Sequence, residues 1–287
     1  PHFLESEIKT EFEKLHLKCL QLLFGSADEF WSGLGSSDFN MIHAGLDPEA
    51  LFSRDQFNTS LRSASEIDRT LVYYYSVRHY NHVAQNMLTH IIISLGDAYA
   101  LLSEPNLFEN HPLEAQAISS DEHYRNTVSP TGHRVWANFN YCIEKMISFL
   151  DYTTKFVSEL SLIRDGKSRH KISSDKVLFG KWKNIKLSKN TSLADWGDEL
   201  RLFYALRDET VHNGTIDHFS RVYEHVSSTG AIRRFLLMPD HSEGAFLKAA
   251  GRKRFFTQDN HLNVILPTLF DKVLCDVLSS LQEIDQR

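Results

Sequence analysis

Cysteine is scarce in this chain. Three residues (Cys19, Cys142, Cys275) stand far apart among 287, and none belongs to a CxxC pair. An odd, scattered set excludes a disulfide framework and a cysteine-based zinc site, so a reduced, cytoplasmic setting is expected. Glycine and proline are also few, 13 and 7, which leaves long stretches without helix breakers. No run approaches the roughly 18 apolar residues of a membrane span. The densest, Met87 to Leu95, is interrupted by His90 and Ser94. The opening residues PHFLESEIKTEFEK are charged and helical in pattern, unlike a secretion signal. No membrane partner is therefore expected. HExxH, a Gly-rich phosphate loop and Gly-x-Ser-x-Gly are all missing, and no third ligand is spaced to join His79 and His82. Neither a metal nor a cofactor is expected.

What is present is helical periodicity. Residues 4–24 form an amphipathic stretch ended by Gly25, and Asp47-Pro48-Glu49 is an N-cap signal opening a helix to about Arg62. Tyr73, Val77, Tyr80, Ala84, Met87, Ile91, Leu95 and Ala98 fall at three- and four-residue steps, predicting one long helix over 65–102. Pro105, Pro112 and Pro130 bracket a loop-rich passage. Further helices are predicted over 133–163, 192–212 and 261–284, the last kinked or delayed by Pro267. Alternating stretches at Phe219–Val226 and Ala231–Met238 around Ser227-Ser228-Thr229-Gly230 predict a hairpin. The expected fold is all-α: an antiparallel helix bundle over 65–287, an N-terminal helical extension over 1–64 packed on it, and a small β-hairpin insertion at 217–238.

Charge is unevenly placed. Residues 164–189 hold nine Lys or Arg against two Asp, a local charge of +7 in a chain of −6, so the rest carries −13. Arg169, Lys171, Lys181, Lys183, Lys186 and Lys189 lie there, with Trp182 and Phe179 interleaved. Cations for phosphates and rings for stacking suit single-stranded RNA, while a solvated basic loop has the same composition.

The helix predicted directly after this segment ends in Leu206-Arg207-Asp208-Glu209-Thr210-Val211-His212-Asn213-Gly214. Leu193, Trp196, Leu200 and Phe203 define a stripe on which Arg207 and Val211 come next, so a guanidinium is expected on a core-facing seam. Asp208 and His212, four apart, share a neighbouring face, where the carboxylate orients the imidazole. Asn213-Gly214 is a C-cap signal. A histidine can move a proton at a ribose hydroxyl or leaving oxygen, and an arginine can bind the phosphate. With 16 Arg and 15 His, chance alone supplies about one Arg-x4-His pair. Placement at a helix end, not spacing, carries the signal. An ordinary helix end, with His212 as a dipole-compatible cap and Arg207 paired to a carboxylate, uses the same residues.

The pattern Arg207-x4-His212, with a polar residue after the arginine and Asn after the histidine, resembles the R-x(4–6)-H motif of the HEPN families. The likeness is confined to residues 192–214, with the helical layout in support. It implies a metal-independent endoribonuclease with His212 as general acid or base, Arg207 as phosphate binder and Asp208 as orienting group. It further implies a homodimer acting on RNA, with an antitoxin or regulatory partner in a defence or toxin–antitoxin setting. Arg78 and His82, on one face of the 65–102 helix, are candidates to stand behind that site. The alternatives are a non-catalytic module of the same fold, binding RNA, a nucleotide or a protein, and a helical scaffold without ligand.

Overall fold

A computed structural model describes residues 2–108, 114–117, 123–167, 197–214, 216–250 and 253–287; at His2 and 114–117 only the backbone is described. The described residues are mostly helical: α1 (His2–Phe24), α2 (Ala27–Ser36), α3 (Phe39–His43), α4 (Arg54–Ser63), α5 (Glu66–Leu102), α6 (Pro130–Arg164), α7 (Asp198–Asn213) and α8 (Leu262–Gln286). None of these helices is long and apolar enough to cross a membrane. Four strands, β1 (Glu114–Ala117), β2 (His123–Thr127), β3 (Val222–Val226) and β4 (Ile232–Phe235), form an antiparallel meander in that order. A two-stranded ribbon pairs β5 (His241–Ser242) with β6 (Ala245–Phe246).

The hairpin expected at 217–238 is β3–β4. It is half of a larger sheet, because the passage between Pro112 and Pro130 also contains strands. The helix expected from Asp47 begins later. Asp47 Oδ1 accepts the Glu49 N–H at 2.8 Å in a turn, and α4 starts behind Ser53 in a capping box with Gln56.

The chain divides into two compact units. One comprises residues 1–4, 87–147 and 196–276; the other comprises 5–86, 148–195 and 277–287. In the second, Phe12 of α1 meets Phe149 and Phe156 of α6, and Tyr73 donates to the fully buried Glu159 at 2.6 Å. Phe24, Phe30 and Tyr74 close an aromatic cluster there.

In the first unit, the buried seams of α5 and α6 meet through Tyr99 and Phe139, and Phe203 of α7 packs edge-on to Phe270 of α8. Pro267 lies inside α8 and cannot donate to the carbonyl of Asn263, four residues back. The Tyr99 hydroxyl donates to that carbonyl, so the helix begins at Leu262. The sheet packs inward through Val222 on the face it shares with Glu224, and Trp136 Nε1 donates to the Arg221 carbonyl at 2.9 Å. Gly244, with φ +74°, lies against α7: an added Cβ would sit 2.4 Å from the Asp198 carbonyl oxygen. This contact joins the ribbon to the helix carrying Arg207.

Candidate functional site

The core face of α7 is Leu200, Leu202, Phe203, Leu206, Glu209 and Thr210. It advances by three residues after Phe203, so it passes through Leu206 rather than the expected Arg207. Val211 is accordingly exposed. Arg207 thus lies at the margin of the seam, its side chain 31% exposed, and a charged group there needs no buried partner.

Arg207, Asp208 and His212 are nevertheless brought together. Arg207 Nη1 donates to Asp208 Oδ1 at 3.1 Å, and the same oxygen lies 4.0 Å from His212 Nε2. Asp208 and His212 are 46% and 67% exposed, open to a solvent-borne ligand. The Gly214 N–H, on a left-handed residue with φ +80°, returns to the Thr210 carbonyl and ends the helix about two turns past Arg207. His212 thereby occupies the last turn, where the dipole favours cations.

The neighbouring carboxylate has a different surrounding. Glu209 is 2% exposed and pairs with Arg254, with Lys248 at 3.2 Å and with the Asn213 amide. Its position three residues beyond Leu206 is the signal that could have marked it as core-facing. It ties α7 to Lys248 and Arg254, and it belongs to the packing of the fold.

Of the other residues singled out, Arg169, Lys171, Lys181, Trp182, Lys183, Lys186 and Lys189 lie outside the described residues. Arg78 and His82 are on α5 in the second unit. Arg78 Nε approaches His82 Nε2 at 3.4 Å and its guanidinium covers the Tyr75 ring at 5.5 Å. Gln85 continues the strip, donating to Glu13 and Asn81. Burial and the nearby Arg78 charge both lower the pKa of His82, against an opposing pull from Glu13.

A second Arg–Asp–His group lies in the first unit, and no sequence spacing announces it. Arg233 of β4 donates through Nη2 to His261 Nδ1 at 2.5 Å. A guanidinium carries no acceptor, so Nδ1 accepts and Nε2 bears the hydrogen, which faces Asp259 Oδ1 at 3.1 Å. Arg233 Nη2 lies 3.6 Å from the same carboxylate. Burial and the Arg233 charge push the His261 pKa down, with Asp259 opposing. The group borders a cavity of about 650 Å³ whose floor includes Tyr124, Tyr223, His225 and Phe235.

The loop bearing Asp259 is fixed by Asp240, which is 2% exposed. Its carboxylate accepts the N–H groups of Thr257 and Gln258 and the Thr257 hydroxyl. Burial pushes this carboxyl up, but those hydrogen bonds outweigh it and hold the pKa below the ordinary value.

No family model, curated protein or solved structure matches the chain.

Proposed function

We propose that the chain is a HEPN-like, metal-independent endoribonuclease acting through Arg207, Asp208 and His212, its long helices forming the antiparallel bundle of that class. The observation that supports this most directly is the sharing of one carboxylate oxygen. Asp208 Oδ1 holds the Arg207 guanidinium and faces the His212 imidazole, at the solvent-exposed end of α7. Such an arrangement presents a cation and a proton carrier side by side, both reachable by a phosphodiester.

In the reaction, the ribose 2′-hydroxyl attacks the adjacent phosphorus and loses its proton. The bond from phosphorus to the 5′-oxygen breaks, and that oxygen gains a proton. His212 serves as base or acid in these transfers, Arg207 neutralises the charge growing on the phosphate oxygens, and Asp208 orients both. The products are a 2′,3′-cyclic phosphate and a 5′-hydroxyl. The exposure of the cluster leaves room for a second copy to approach, as a homodimer of this class requires. The basic segment containing Lys181, Lys183 and Lys186 supplies RNA affinity. A toxin or defence role, with an antitoxin or regulatory partner in the cytoplasm, follows from the same resemblance.

The test is cleavage of a structured RNA in EDTA by the wild type, Arg207→Ala and His212→Ala, with end-group analysis. Loss of activity of about a hundredfold or more in each variant is expected. Equal activity in all three overturns the proposal. Salt-dependent RNA binding without cleavage, lost on neutralising Lys181, Lys183 and Lys186, would instead establish the non-catalytic module.

A further inference from the structure

We propose that the aromatic face of the four-stranded sheet binds single-stranded nucleic acid, with bases stacked at Tyr124 and Tyr223 and a backbone phosphate between Arg233 and His261. The register dictates this face. Tyr124 is opposite His225 and Asn126 opposite Tyr223, while His225 faces Arg233 and Tyr223 faces Phe235 across the next ladder. Period-two alternation sends these six side chains to one side. The other side carries Arg125, Glu224 and Arg234, joined around a fully buried carboxylate.

The open side of an antiparallel sheet is ordinarily polar. Here it holds two ring platforms. Tyr124 lies on His225 at 4.5 Å and 22°, and the half-buried Tyr223 lies on the buried Phe235 at 5.6 Å and 15°. Tyr124 and Phe256, which also lines the cavity, are each 40% exposed. Every base has a flat π-face, so exposed rings of this kind take unpaired bases with little regard to sequence. Two adjacent platforms in a cavity of about 650 Å³ suit consecutive bases of a strand better than one free nucleotide.

The phosphate position is marked by a carboxylate of the chain itself. Asp259 Oδ1 stands 3.1 Å from His261 Nε2 and 3.6 Å from Arg233 Nη2, yet Asp259 is 83% exposed. An ion pair so open to water is weak and displaceable. A phosphate oxygen in its place meets the same N–H of His261 and the guanidinium of Arg233. The proposal does not rest on cleavage at Arg207.

The experiment is fluorescence anisotropy with a short labelled 2′-O-methyl oligouridylate, which lacks the attacking hydroxyl and cannot be cleaved by the proposed reaction. Tyr124→Ala is expected to weaken binding about tenfold while Tyr124→Phe keeps it. Arg233→Ala is expected to weaken binding and to lower the salt slope by about one. Asp259→Asn removes the competing carboxylate and should tighten binding severalfold, a gain that damage to the fold cannot imitate. Absence of binding, indifference to Tyr124→Ala and Arg233→Ala, or weaker binding by Asp259→Asn overturns the proposal. Uridine monophosphate competing as well as the oligomer would overturn the strand in favour of a free nucleotide. None of these outcomes bears on the ribonuclease proposal, which is read from cleavage alone.

Discussion

Two groups of arginine, aspartate and histidine occur in one unit of this molecule, and they are assembled in opposite ways. Arg207, Asp208 and His212 lie within six residues on one helix, joined by a single carboxylate oxygen and open to water. Arg233, Asp259 and His261 come from a strand, a loop and a helix start, backed by Phe235 and by the buried Asp240. In the first, the carboxylate is the hub. In the second, the 6%-exposed imidazole is the hub, accepting from the arginine and facing the aspartate with its other nitrogen. The difference teaches that residue type alone assigns no role. A helix end can offer such groups to a ligand without deforming anything, whereas the sheet group also supports the fold around it.

The comparison requires that the sheet be held by its own buried charges. Glu224 is fully buried between Arg125 and Arg234, and Arg234 also donates to the Leu102 and Glu104 carbonyls. Glu224→Ala leaves both guanidinium groups without their shared carboxylate. A loss of about 3–5 kcal/mol in denaturant melts is expected, with the aromatic face lost alongside. A melt matching wild type would mean that the sheet does not depend on that cluster. Glu209→Ala should follow, costing about 3 kcal/mol, because Arg254 is only 10% exposed and loses its partner.

Acidification separates the two groups next. The His261 pKa is lowered in the folded chain, so the unfolded chain binds the proton first. Its contribution to stability is complete above the ordinary imidazole value, about 6.5, and is lost as pH falls through the depressed folded value. Asp240, lowered as well, adds a second loss as pH falls through its own depressed value below the ordinary carboxylate pKa of about 3.9. His261→Gln should make the first limb of the stability curve shallower, the remainder coming from other histidines with lowered values such as His16 and His82, and keep the second. An unchanged first limb would remove His261 from the account.

The helices were legible because their signals are local. The stripe from Tyr73 to Ala98 places a helix over 65–102, and α5 spans Glu66–Leu102. Gly214 marked the end of α7 in the same way. Two N-cap signals lie six residues apart, and the fold uses the second: Asp47-Pro48 holds a turn, while Ser53 and Gln56 form the capping box. β1 and β2 were hidden because Glu114-Ala115-Gln116-Ala117 has no β-branched or aromatic residue, and β2 finds β3 almost a hundred positions away. Separation along the chain also hid the second Arg–Asp–His group. Arg233 and His261 are 28 residues apart and meet only because the sheet and α8 bring them together. At α7, the residue types were legible but the seam was not, since a stripe can advance by three or four residues and only packing decides between Leu206 and Arg207.

The smallest expected effect is the most discriminating, because it sets adjacent carboxylates of one helix against each other. Asp208 is 46% exposed and its partners are 31% and 67% exposed, so water screens the pair and its structural value is low. Asp208→Asn keeps an oxygen that can accept from Arg207 but removes the charge that faces His212. Stability should change by no more than about 0.5 kcal/mol. Cleavage, if the site works as proposed, should fall about tenfold through misorientation of the two reacting side chains. Glu209→Gln should show the reverse pattern, with a lowered melting temperature and intact turnover per folded molecule. If Asp208→Asn melts as early as Glu209→Gln, Asp208 belongs to the packing of α7 and the helix end has no free carboxylate to spend on chemistry.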